Sequence, residues 1–460
     1  MMMTWAKILV VLVSGVAGSA AGNLAMAAEP DRPTVEQAQK ALEADLEVLH
    51  QKGEPVRPQE MVAPSVQDAE NAVLDLRAAV KSIYESKALA AFNDIDIKGE
   101  VATPLSGEQA DVIRALVNEN APALKRIKSA MAKGKVDWQI NYATPMFKTL
   151  LPGLSGQRML ANVLLRPAAL LAHEDGDDIT ALQHVRELLF VARASGDEPF
   201  LVSHLVEIGI DALAFDVCRQ ISPTLQLVKE PAMREQLRRT IAELLDETDF
   251  CAHMRYAMQC ERLAEVDPAL ALVSGKMTVE ELVALGGSGQ KENFKRLGLK
   301  PADAMSIALT DARIMLGEMT RMVDVGSAAD LPTALAKMKP WPPAERMEPK
   351  KHFYMAMLLP SLQKSFETHY IALAQRRLAA TALAIRWYAM DHDGQLPKAL
   401  KDLVPAYLPT MPTDPMTVGD PLIYSPEHEV VYSVGIDGHD DGGDAGDGKS
   451  RGRDIVIPLR

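Results

Sequence analysis

Between Gly435 and Arg453 the chain places Asp437, Asp440, Asp441, Asp444 and Asp447 among seven glycines. Side chains of this kind serve one chemistry well. A hard cation such as Ca²⁺ takes about six to eight oxygens, and a glycine-rich loop turns its carbonyls inward beside its carboxylates. The same composition also describes a solvated acidic loop, so the residues alone leave both readings open. His173-Glu-Asp-Gly-Asp-Asp178 is a second oxygen-rich run, but it lacks the spaced acids and closing Glu of an EF-hand loop and reads as helix capping. His253 has Cys251 and Cys260 near it in sequence but no partner four residues along for a zinc pair, and reads as a packed or surface histidine.

No nucleophile sits in a recognisable setting. Gly153-Leu-Ser-Gly156 and Gly286-Gly-Ser-Gly289 fall short of Gly-x-Ser-x-Gly, and neither follows a strand as that elbow requires. No glycine-rich loop leads to a Lys-Ser/Thr pair, and no His-Glu-x-x-His is present. Catalytic residues are therefore not assigned. The expectation is a non-enzymatic scaffold or interaction protein with an unidentified protein partner; a hydrolase with a site built from scattered residues is an alternative.

The last fifth of the chain carries four motifs in order: Tyr388-Ala-Met-Asp-His-Asp-Gly-Gln-Leu-Pro397, Tyr407-Leu-Pro-Thr-Met-Pro-Thr-Asp-Pro415, Tyr432-Ser-Val-Gly-Ile-Asp-Gly438 and Asp454-Ile455. About residues 360–460 thereby resemble the C-terminal domain of the type II secretion major pseudopilin. The resemblance implies a long helix on a short antiparallel sheet and a structural calcium site in the acidic loop. It places the ligands at Asp437, Asp454 and, between them, Asp444 or Asp447, with backbone oxygens near Ser433 and Val434. A role as an accessory of a type II secretion or pilus-type system is a further alternative that it implies. The turn Asp414-Pro-Met-Thr-Val-Gly-Asp-Pro421 is about two residues longer than the family's. The upstream half of the long helix holds Lys364, Glu367, Arg376 and Arg377, so it cannot span a membrane as a pseudopilin's does.

The elements before this tail read as helices. Asp68–Ala91, Gly107–Lys133, Gln157–Glu174, Asp178–Ala194 and Phe200–Gln220 repeat apolar residues every three or four positions, with strong helix formers between. Thr34 with Gln37, and Ser106 with Gln109, have the spacing of capping boxes. Glycines in Glu174-Asp-Gly-Asp177 and Ser195-Gly-Asp-Glu-Pro199 are expected to end helices in the left-handed conformation, with Pro199 in the next first turn. The fold class is mainly α: an irregular helical bundle with solenoid-like hairpins, then a small α+β domain. The expected division is a signal peptide at 1–28, a helical domain at 29–336, a proline-rich linker at 337–349 and the tail at 350–460. One stripe of the long helix, Leu362, Phe366, Tyr370, Leu373, Thr381, Ile385 and Tyr388, is expected to face the sheet.

Lys7, the apolar run Ile8–Ala17 and Ala25-Met-Ala27 form a secretory signal, with cleavage near Ala27 or Ala28. The mature chain then has no membrane span and lies in the periplasm or outside the cell. A net charge of −13 argues against nucleic acid, whose phosphates need clustered Lys and Arg. Three cysteines are too few and too odd in number for a disulfide framework. Cys251 and Cys260 should not pair, being nine residues apart on one helix and about 13 Å apart along its axis. Three thiols, or one bridge from Cys218, remain open.

Overall fold

The computed structural model describes residues 3–4, 32–62, 64–96, 101–226, 230–285, 292, 294–295, 298–340, 352–358, 362–446 and 453–460. Thr34 and Ser106 cap helices α1 (Val35–Gln51) and α4 (Gly107–Glu119) with both halves of the capping box in place. Two expected helices are each broken in two. Asp68–Ala91 is α2 (Ala72–Glu85) and α3 (Ala88–Asp96). The Glu119 carboxylate accepts from Ser86 Oγ and the Lys87 and Ala88 amides at the break, satisfying donors that a continuous helix would have bonded internally. Gly107–Lys133 divides at Asn120, where Pro122 enters the first turn of α5 (Ala121–Lys133).

The next helical run is α6 (Leu154–Met159), a π-helical stretch Leu160–Leu165 and α7 (Arg166–Glu174). It turns at Gly176, whose φ is +78°, into α8 (Asp178–Gly196). Asp177 accepts from the Thr180 amide there, and His173 bonds Asp178, so this run is capping, as its composition implied. Gly196 departs from expectation. It stays helical as the last residue of α8, and Pro199 precedes α9 (Leu201–Ile221) instead of entering it. What Gly196 supplies is room, described below.

Helices α10 (Pro231–Leu245), α11 (Thr248–Val273), α12 (Val279–Leu285), α13 (Pro301–Val325), α14 (Leu331–Met338) and α15 (Phe353–Leu358) complete the body. The tail is α16 (Gln363–Asp391) and an antiparallel sheet of β1 (Ile423–Ser425), β2 (Val430–Ser433) and β3 (Ile455–Pro458), in the order β1-β2-β3. The chain is thus mainly helical with a small antiparallel sheet near its C-terminus. None of its described helices is long and apolar enough to cross a membrane. The glycine run 286–289 lies outside the described residues, as do 341–349 of the linker and, apart from Met3 and Thr4, the signal segment. Met355 is buried in the core, and all three cysteines are free thiols.

Helix α16 is buried around most of its circumference, with a partly exposed edge along Lys364, Glu367, Thr368, Ile371 and Gln375 in its first half. Its strongest neighbours are α9 and α10, with lighter contact to β2 and β3. Phe366, Tyr370 and Leu373 of the expected stripe pack with Met319, Met322 and Phe250 of the body. Leu378, Leu383 and Ile385 share one core with Leu182 and Ile210 upstream and Val431 and Ile457 of the sheet. A protease site inserted between residues 341 and 351 is accordingly expected to yield two fragments that co-elute in size exclusion under native conditions. Separation of the fragments without denaturant would mean that this shared core does not hold them.

Candidate functional site

Two places gather chemistry-bearing side chains. The first is the acidic loop between β2 and β3. Asp454, only 4% exposed, accepts from the Gly443 amide at 2.7 Å and the Asp441 amide at 3.4 Å. Burial raises its pKa, and the nearby Asp440 and Asp441 carboxylates raise it further. Gly443 makes this turn at φ +82°, where a β-carbon would press on Val430. Asp437 is exposed and accepts from the His439 amide. Asp444 accepts from the Gly446 amide and faces Arg453. Asp447 lies outside the described residues.

The residues beside Asp454 are therefore Asp440 and Asp441, which the motif comparison passed over. Among the described residues no three acids, histidines or cysteines converge at metal-ligating geometry. Ser433 Oγ and the Val434 amide are committed to the buried Asp414 carboxylate, at 2.8 and 3.0 Å, and the Met416 amide donates to it as well. Asp414 thus pins the loop's first strand to the turn that follows α16. The Asp414-Pro415 motif was the signal for it.

The second place is inside the helical body. The stretch Leu201–Asp211 is apolar except for a few residues, and His204, Glu207 and Asp211 fall on one helical face at spacings of three and four. Such a polar stripe in an apolar helix is the one sequence signal for this site. Glu207 accepts from His204 Nδ1 at 2.8 Å and from His253 Nδ1, 3.0 Å from both of its carboxylate oxygens. His204 Nε2 meets His369 Nδ1 at 3.0 Å, and His253 Nε2 faces Asp197 at 3.5 Å. His253 is a packed histidine, as read from sequence. The bonding fixes the tautomers: Nδ1–H of His204 donates to Glu207, so its Nε2 accepts from His369.

Burial raises the pKa of Glu207, with the charge and hydrogen bond of His253 pulling the other way. For His253, burial acts downward and is outweighed by Glu207 and Asp197, so its pKa is raised. It is the Glu207 charge that raises His253, so the two are held as an ion pair, and burial keeps His204 and His369 neutral. Gly196 lets these groups meet, because a β-carbon there would collide with His253 Nδ1 and Glu207 Oε2. Gly196→Ala is expected to destabilise the chain by about 1–3 kcal/mol, as overpacking does, read as a lower urea midpoint. An unchanged midpoint would contradict this close packing.

Arg376 of α16 closes the group. Its guanidinium donates to Asp211 and to the carbonyls of Glu243, Leu244 and Asp246, so it caps the C-terminal end of α10 where bare carbonyls accumulate. Above Glu207 and Arg376 lies a cavity of about 720 Å³ walled by Met131, Leu189, Phe190 and Phe250. Glu207 and the fixed Arg376 cation reach it, and among the described residues no Ser, Thr or Cys lines it. No protein-family model, curated protein or solved structure matches the chain.

Proposed function

We propose that the protein is an exported helical scaffold whose pseudopilin-like α+β tail is stabilised by calcium in the 435–454 loop. The observation that carries this reading is the crowding of Asp440 and Asp441 against the buried Asp454. Three carboxylates repel one another at one end of a loop whose glycines resist ordering, and a divalent cation removes that repulsion. Asp437 and Asp454, with Asp444 or Asp447 between them, are the proposed ligands, and burial of α16 in the body supports a tail held as part of one scaffold.

Hydrogen exchange on the full chain tests the ion site. Amides of the loop from Asp437 to Gly446 are expected to exchange at least tenfold more slowly with calcium than with chelator. Asp454→Asn and Asp437→Ala should each abolish the difference, while Asp420→Asn, outside the loop, should keep it. Equal exchange in both conditions would leave a solvated acidic loop.

A further inference from the structure

The cavity above Glu207 is unlike the rest of the molecule in charge. The chain carries −13 overall, yet the cavity is lined by five basic side chains, Lys128, Arg186, Arg193, Arg239 and Arg376, against four acids. Several of these charges are already committed. Arg186 makes two hydrogen bonds to Glu243, and Arg239 bonds Glu235. Arg376 is used up by Asp211 and the end of α10. Two cations are not so engaged. Lys128 is exposed and makes no hydrogen bond or ion pair with a described residue. Arg193 lies over the Phe190 ring and reaches Asp249 only at 3.5 Å.

The floor has a complementary vacancy in bonding capacity. A carboxylate offers about four lone-pair sites. Glu207 Oε2 takes His204 and His253, but Oε1 takes His253 alone, and Glu207 lines the cavity. Between rim and floor the wall is apolar and partly aromatic. A cavity of this volume that sets a few apolar and aromatic side chains beside convergent charged groups has room and chemistry for an amphipathic small molecule.

We propose that this cavity binds a small organic anion with an apolar body: the anionic group at Lys128 and Arg193, the body against Leu189, Phe190 and Phe250, and a hydroxyl donating to Glu207 Oε1. The site is independent of the calcium loop, so either can fail without the other. Lys128 is on α5, Arg193 on α8, Glu207 on α9 and Phe250 on α11, so the ligand would bridge four helices of the body.

The test is isothermal titration of the full chain with 12-hydroxydodecanoate, dodecanoate and dodecane-1,12-diol, below micelle-forming concentrations and with chelator present. The hydroxy acid is expected to bind tightest, dodecanoate several-fold more weakly, and the uncharged diol roughly tenfold or more below the hydroxy acid, the scale of a lost charge-assisted contact. Lys128→Glu combined with Arg193→Glu should weaken the hydroxy acid at least tenfold and erase its advantage over the diol. Lys125→Glu, exposed on the same helix but not lining the cavity, should leave the affinity unchanged. Equal binding of diol and hydroxy acid, no binding at millimolar concentration, or indifference to the double reversal would each overturn the proposal. The ligand series decides the matter even if the double variant folds poorly.

Discussion

Arg376→Met is expected to lower the unfolding free energy by about 3–5 kcal/mol, the cost of leaving a buried charge without its partner. Arg376 is 7% exposed, and Asp211, its partner at 2.8 Å, is 3% exposed. Asp211 Oδ1 already accepts no hydrogen bond, so losing Arg376 leaves the acid with the charge of His253 but no bonded cation. Burial raises the Asp211 pKa and the Arg376 charge draws it back down; without Arg376 the acid must take up a proton or unfold. Adding Asp211→Leu to Arg376→Met should recover part of the loss, because removing both charges is far milder than removing one. The carbonyls of Glu243, Leu244 and Asp246 stay uncapped in the double variant, so recovery should be incomplete. Urea denaturation of the parent and the two variants measures this. A single variant within about 1 kcal/mol of the parent would contradict the role of Arg376 as the clamp between α16 and the helical body.

Stability is also expected to fall by roughly 4 kcal/mol as pH rises from about 6.5 to 8. Burial lifts Glu261 to about 8 against one hydrogen bond from the Leu201 amide, and lifts Glu198 to about 7. Unfolded glutamate titrates near 4.3, so above that value the native state binds more protons than the unfolded chain. Stability then decreases with rising pH until the folded pKa is passed. His253 has the same sign, since its raised folded value gives stability that is full below about 6.5 and fades above. Glu261 and His253 together shed roughly 2 kcal/mol each across the window at about 1.4 kcal/mol per pH unit. Below pH 6.5 the sign reverses for His204 and His369, which burial holds neutral; protonation there favours the unfolded chain. Urea midpoints at constant ionic strength from pH 5 to 8 check the curve, and Glu261→Gln should flatten its alkaline side. Stability that climbs steadily through pH 8 would contradict the buried protonated carboxyls.

The helices were legible because their signals are local. Capping oxygens at Thr34, Ser106 and Asp177 act within one turn, and the structure has each in place. The breaks at Ser86 and Asn120 were less so. Glu119, distant in sequence, satisfies the amides at the first break, and no spacing rule anticipates a partner more than 30 residues away. The face of α16 differs from the expected stripe for a related reason: a helix covered around most of its circumference has no single apolar stripe to find, and its arginines look solvent-facing until Asp211 and the carbonyls of α10 are placed around Arg376. His253, Glu207 and His369 come from three helices and meet only in the fold. In the acidic loop, composition gave the residue types, but which carboxylates approach Asp454 depends on the turns at Gly442 and Gly443.

Thermal melting of the full chain with calcium or with chelator tests most directly whether calcium stabilises the fold through its C-terminal loop. A weak extracellular-type site, with a dissociation constant on the order of 10⁻⁴ M, suffices. Free calcium at a hundredfold excess over that constant should add about 2.7 kcal/mol to the folded state, seen as a higher melting temperature that Asp454→Asn removes. Melting curves that coincide in the two conditions would contradict the calcium site.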